Sequence, residues 1–186
     1  MKKLHTARIG YNIISILFCL AALLHLLVPD IPVLAVCLFS GGGLIAYGII
    51  KITGYFSEDL FCLAFRYDLA FGLLLLAIGV IVLIKHEAAS SYLLPGFGWL
   101  LLLDSFFKIQ MAEEAKKFGL EQWNIIVIAA VVTCVAAFLL ILRGFPGPET
   151  TRILTALALL SEGLMNRCVV KFTVKERGAP PKYEQL

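Results

Sequence analysis

Six stretches of nearly unbroken apolar residues alternate with short polar connections along the chain, at 9–28, 31–50, 64–84, 91–110, 124–142 and 153–170. A helix that crosses a bilayer needs roughly 20 mostly apolar residues, so the pattern predicts six transmembrane helices. The longest polar piece, "MAEEAKKFGLEQW" from Met111 to Trp123, reads as a helix extension with Glu113 and Lys117 paired at i,i+4 spacing. No stretch is left for a soluble catalytic module. The first apolar run stands behind "MKKLHTAR" and lacks a small-residue cleavage site, so it is expected to be a retained helix and not a removed signal. The reading is all-α: residues 1–186 as a single transmembrane domain, with 175–186 as a flexible cytoplasmic tail.

Composition agrees with the pattern. Hydrophobic residues make up 60% of the 186 and charged residues 16%, with a mean hydropathy of +0.91. A soluble domain holds about 45–50% apolar residues. The chain belongs in lipid.

Three phrases recur: "YGIIKI" at 47–52, "DSFFKI" at 104–109 and "EGLMNR" at 162–167, offset by 57 and then 58 residues. Each sets a small residue (Gly48, Ser105, Gly163) after a polar one, and each stands late in an even-numbered apolar run. A shift of 57 also relates Gly72 and Gly79 of the third run to Ser15 and Ala22 of the first and to Ala129 and Ala136 of the fifth. Small residues seven apart lie about two turns apart on one helix face, where a neighbouring backbone can come close in lipid. A competing shift of 56 aligns Tyr11-Asn12, Tyr67-Asp68 and Trp123-Asn124; the shift of 57 has support on both sets of helices. The chain is therefore expected to be three repeated two-helix hairpins that enter from the same side. The helix-packing residues expected from this reading are Gly42 and Ala46, a small-xxx-small pair on the second helix, with Gly48, Gly72, Gly79 and Gly163.

Counting Lys and Arg by side fixes the expected orientation. With both termini cytoplasmic, thirteen basic residues fall on that side and three, Lys85, Arg143 and Arg152, on the other, a strong positive-inside bias. The net charge of +3 thus reflects topology and gives no reason to invoke nucleic acid. The basic tail "KFTVKERGAPPKYEQL" would lie against anionic headgroups.

Repeated hairpins with glycines seven apart in an odd helix, a proline near the outer end (Pro29, Pro146) and the small-residue phrase in the even helices resemble the HdeD family of short-repeat bacterial membrane proteins. The likeness covers nearly the whole chain through motifs of low information. It implies six spanning helices in the bacterial inner membrane and an association with acid and stress resistance; it carries over no catalytic residues. The chain departs from the family pattern at Tyr11 and Arg66-Tyr67 in place of Trp, at Ser105 in place of Gly, and at Lys85-His86 in place of Pro.

Candidate chemistry is confined to ionisable and amide residues inside the spans. Asp68, Asp104 and Glu162 sit in the inner half of the membrane, ~10–15 Å from the cytoplasmic surface at about 1.5 Å per residue. Arg66, Lys51, Lys108, Arg167 and the amides Asn12, Asn124 and Asn166 are at comparable depth, so the sequence predicts one polar layer. Intramembrane acids often mark ion pathways. They can equally be structural: Asp104 and Lys108 are four apart, Glu162 can reach Asn166 or Arg167, and Asp68 follows Arg66. No Ser-His-Asp or HExxH set is present, the glycines at 41–43 are not followed by a Walker lysine, and the three histidines lack companion ligands. The five cysteines are odd in number and never form CxxC, as expected of packing residues. Neither cofactor nor metal is called for. Two functional readings stand: a non-enzymatic membrane protein of the HdeD type acting in acid or stress resistance, and a small proton-coupled transporter or channel with a cytoplasm-facing polar cavity. The expected partner is the bilayer, with a second copy or another membrane protein left open.

Overall fold

A computed structural model describes residues 2–28, 31–57, 65, 67–120, 122–142 and 148–173. Arg66, Pro29, Pro146, Cys62 and the 175–186 tail lie outside the described residues. The structure is all-α, with seven helices and no strand among the described residues: α1 (Lys2–Leu27), α2 (Val33–Tyr55), α3 (Asp68–Ile84), α4 (His86–Ser90), α5 (Leu93–Lys117), α6 (Trp123–Leu142) and α7 (Pro148–Thr173). Six of them coincide with the apolar runs. The seventh, α4, is a single turn between α3 and α5 that the apolar pattern does not signal.

Four helices, α1, α2, α6 and α7, are long and apolar enough to cross a membrane by length and composition. Their outward faces are greasy: Leu27, Phe39 and Ile128 are each more than 60% exposed. Apolar surface on this scale has no place in water, and it identifies a membrane-embedded protein.

The segment after Met111 shows how local chemistry ends a helix. α5 continues to Lys117, with Glu113 and Lys117 paired at 3.0 Å on an exposed face. There Gly119 adopts φ 72°, a left-handed conformation that costs glycine nothing. Leu120 N–H donates to Ala115 O and Gly119 N–H to Lys116 O, both at 3.0 Å, which is the Schellman pattern. The predicted extension therefore stops at Lys117, short of Trp123.

The tightest packing is not within the sequential hairpins. Counted by apolar run, α2, α5 and α7 are the even helices and α1, α3 and α6 the odd ones; the tightest contacts join α2 with α3 and α5 with α6, and the last even helix, α7, returns to α1. Small residues explain the choice of partner. A Cβ built on Gly48 would stand 2.7 Å from Gly72 O, and one on Gly72 would stand 2.8 Å from Gly48 O. Farther along the same pair, a Cβ on Gly79 would be 2.9 Å from Gly41 O. Gly48 facing Gly72 while Gly41 faces Gly79 makes α2 and α3 antiparallel, with the two backbones in contact at both sites. The same device recurs where a Cβ on Gly98 of α5 would meet Ala137 O at 3.0 Å, and where one on Gly163 of α7 would meet Ser15 O at 2.8 Å.

Two expectations are corrected by one residue each. Gly42 has nothing within 4 Å of an added Cβ and is exposed, as is Ala46; Gly41 and Tyr47, one position away, point inward instead. One residue is about 100° of helix rotation, enough to carry a side chain from the interface to the outside. On α6 the buried small residues are Ala130 and Ala137, both 0% exposed, where the shift of 57 points to Ala129 and Ala136. The offset from α3 to α6 is thus 58, the same as that from Ser105 to Gly163.

Hydroxyls on these helices are satisfied locally. Ser15, Ser105, Thr133, Thr155 and Thr173 each donate to the carbonyl four residues back, at 2.6–3.0 Å. Ser105, which stands where the other repeats have Gly48 and Gly163, thereby hides its polarity within its own helix.

Candidate functional site

The first and fifth letters of the recurring phrase meet in the middle of the molecule. Tyr47, Asp104 and Glu162 occupy the first position on α2, α5 and α7, and Lys51, Lys108 and Asn166 occupy the fifth. Residues four apart lie on one helix face, so each even helix presents two polar groups, one turn apart, to the same centre. The odd helices contribute Tyr11 from α1 and Asp68 from α3; the corresponding residue on α6 is Ile126. All of these are buried.

Lys51 bridges two acids, 2.9 Å from Asp68 Oδ1 and 3.1 Å from Asp104 Oδ1. It is wrapped by aromatic faces, with its Nζ 4.9 Å from the Tyr47 ring centroid and 5.1 Å from that of Phe71, so cation–π attraction replaces part of its lost hydration. Lys108 bridges the next pair: it bonds Asp104 Oδ2, lies 3.1 Å from Glu162 Oε1 and donates to Asn166 Oδ1 at 2.7 Å. Tyr11 donates to Asp68 Oδ2, while the Tyr47 hydroxyl is 3.0 Å from Glu162 Oε1 and 2.9 Å from Asn166 Oδ1. Asn166 Nδ2 closes the circuit with a 2.7 Å bond to Glu162 Oε1. A chain of alternating charge therefore runs Asp68, Lys51, Asp104, Lys108, Glu162 across four helices, with no side chain in it more than 7% exposed. Buried ions are tolerable only when paired and hydrogen-bonded in this way.

A cavity touches the network. It offers about 20 Å³ to a water-sized sphere, beside Asp68, Asp104, Lys51 and Lys108, under the stacked rings of Tyr67 and Phe107. That is room for one water, and too little for an organic solute.

Of the residues expected in a polar layer, the structure brings together Asp68, Asp104, Glu162, Lys51, Lys108 and Asn166. Asn12, Asn124 and Arg167 are exposed and belong to no such layer; Asn124 caps its own helix start by accepting from Ile125 N–H at 3.0 Å. The reason is rotational. Asn12 follows the inward Tyr11 and Arg167 follows the inward Asn166, so each is turned about 100° away. Two members of the network, Tyr11 and Tyr47, are not among the site residues expected from the sequence. Their signal was present: Tyr11 is 57 residues before Asp68, and Tyr47 stands 57 before Asp104, so the repeat alone would have placed them at the acids' positions. Replacing Tyr47 by Phe keeps the ring under Lys51 and removes only the hydroxyl. Such a variant should lose about 1–2 kcal/mol of stability, read from its unfolding midpoint in mixed detergent micelles.

Among the described residues no group of His, Cys, Asp and Glu is arranged to hold a metal ion. The described cysteines, Cys19, Cys37, Cys134 and Cys168, are free thiols.

Comparison with known proteins supplies a family. Two overlapping segments, 13–84 and 70–142, match the model of the short repeat of unknown function, DUF308. The two matches begin 57 residues apart and end 58 apart, the offsets that relate the recurring phrases. No curated protein and no solved structure matches the chain significantly. With the matched segments spanning more than half of its length, the chain belongs to the DUF308 short-repeat family.

Proposed function

We propose that this protein is a non-enzymatic, six-span bundle of the bacterial inner membrane, with both termini cytoplasmic, made of three hairpin repeats and acting in the manner of the HdeD type in resistance to acid or related stress. The observation that carries the reading is the closed circuit at its centre: Lys51 and Lys108 lie between Asp68, Asp104 and Glu162, and the adjoining space holds about one water. Acids neutralised in this manner bind helices to one another. A conducting pathway would need the same groups to face a water-filled cavity.

The remaining features support the same reading. Α3 and α5 complete six crossings when added to the four helices that qualify by length and composition, and the thirteen-to-three distribution of basic residues then follows the positive-inside rule. The lipid bilayer is the partner its apolar exterior calls for; a second copy of the chain or another membrane protein would dock on that exterior. No role for nucleic acid is proposed.

Proton flux in liposomes tests the reading. Vesicles loaded with the protein should dissipate an imposed pH gradient at the rate of empty vesicles. A faster leak that is abolished by Asp104→Asn together with Glu162→Gln would establish the transporter reading in its place.

A further inference from the structure

One oxygen in the circuit has no partner. Glu162 is fully buried, and its Oε1 accepts from Tyr47, Lys108 and Asn166, yet Oε2 has no hydrogen-bond partner. The Asp104 carboxyl lies beside it, because both carboxyls bond the same ammonium, Lys108 Nζ. Two oxygens that only accept cannot satisfy each other; a proton between them makes one a donor.

Charge counting leads to the same place. Among the described residues, the groups that face this point are Tyr11 from α1, Lys51 and Tyr47 from α2, Asp68 from α3, Lys108 from α5 and Asn166 from α7, while α6 brings the apolar Ile126. Among the described residues, with every acid ionised, the circuit holds three negative charges against two ammonium groups. One bound proton brings the sum to zero, as a low-dielectric centre requires.

We propose that Asp104 and Glu162 hold one proton between them, so that the centre of the bundle is a proton-binding site. Glu162 Oε2 carries the proton and donates it to an Asp104 oxygen; no other bond forms or breaks. The proton comes from water, and the water-sized cavity beside Asp104 gives it a point of entry. Binding of this kind goes beyond the non-conducting reading above and does not depend on it, since a closed core can take up a proton without passing it across the membrane.

Infrared spectroscopy of the protein in lipid tests the proposal. At neutral pH the wild type should show a protonated-carboxyl C=O band worth one group per chain, shifted by exchange into deuterium oxide. Glu162→Gln and Asp104→Asn each leave two acids against two lysines, a balance that needs no proton and favours a folded variant. Each should therefore lose the band. Absence of the band from the folded wild type would overturn the proposal without recourse to any variant, and so would its persistence in both folded variants. The liposome flux assay reads conduction separately, so the two ideas fail on different measurements.

Discussion

Lys108→Met is expected to cost the folded bundle about 3 kcal/mol, a change of roughly a hundredfold in the folding equilibrium. Lys108 bonds Asp104, Glu162 and Asn166 at once, and it is the cation of the circuit within ion-pair distance of Glu162. Methionine fills much of the same volume, so the loss is electrostatic and not a cavity. Removing one partner from a buried ion pair typically costs 3–5 kcal/mol. The low end applies because helices unfolded within a bilayer or micelle also find polar partners. Lys117→Met, which breaks the exposed pair with Glu113, should change stability by less than about 1 kcal/mol. Adding Asp104→Asn to Lys108→Met removes the carboxylate left without this ammonium and should recover part of the loss. Unfolding in mixed micelles reads all three. Equal midpoints for Lys108→Met and the wild type would mean that the circuit does not hold the helices together.

The sequence carried a great deal of this architecture, for identifiable reasons. Helix positions were legible because lipid demands long apolar runs, and six runs leave little room for error. The repeat was legible because its phrase sets polar letters in a greasy background: Asp104 and Lys108, or Glu162 and Asn166, stand out where a core of leucines would not. Rotation about each helix axis was not legible. In a helix that is apolar on all sides, no hydrophobic stripe says which face is inside, so spacing points to Gly42 as readily as to Gly41, and depth alone puts Asn12 and Arg167 in a layer that their neighbours Tyr11 and Asn166 occupy. Tyr11 and Tyr47 carry no signal singly, because an aromatic residue in a membrane helix is common. Only the repeat gives it company.

The partner of each helix was also hidden, and its cause joins the packing to the polar centre. Gly48 lies one residue after Tyr47 and Gly163 one after Glu162. On an even helix, therefore, the side that approaches the next repeat and the side that faces the centre are adjacent, about 100° apart. The recurring phrase specifies both: its first and fifth letters build the circuit, and its second sets how close the neighbouring backbone can come. Pairing each even helix with the following repeat, and α7 with α1, closes the series on itself, so that α2, α5 and α7 all turn their polar letters to one point. A hairpin packed chiefly on itself would leave its acid and lysine without the partners that the other repeats supply.

Gly48→Leu tests that link from the packing side and should prevent assembly of the native bundle. A Cβ at this position would lie 2.7 Å from Gly72 O and 3.1 Å from Leu76 N, both backbone atoms that no rotamer change can move. Overpacking a core typically costs about 1–3 kcal/mol when side chains can adjust; here α2 and α3 must separate, so the cost should reach the top of that range or exceed it. Separation also carries Lys51 on α2 away from Asp68 on α3, now 2.9 Å apart, which adds the loss of a buried ion pair to the steric cost. Gly42→Leu is the matched control on the same helix. It meets nothing within 4 Å and adds an apolar side chain to an exposed face, so its effect should stay within about 0.5 kcal/mol. Gly72→Leu should be as damaging as Gly48→Leu, and the two together less than additive, because either one alone already forces the same pair of helices apart. Were Gly42→Leu the more harmful of the two α2 substitutions, the inward face of α2 would have to be the one that carries Gly42 and Ala46, and Tyr47 and Lys51 could not both reach the centre.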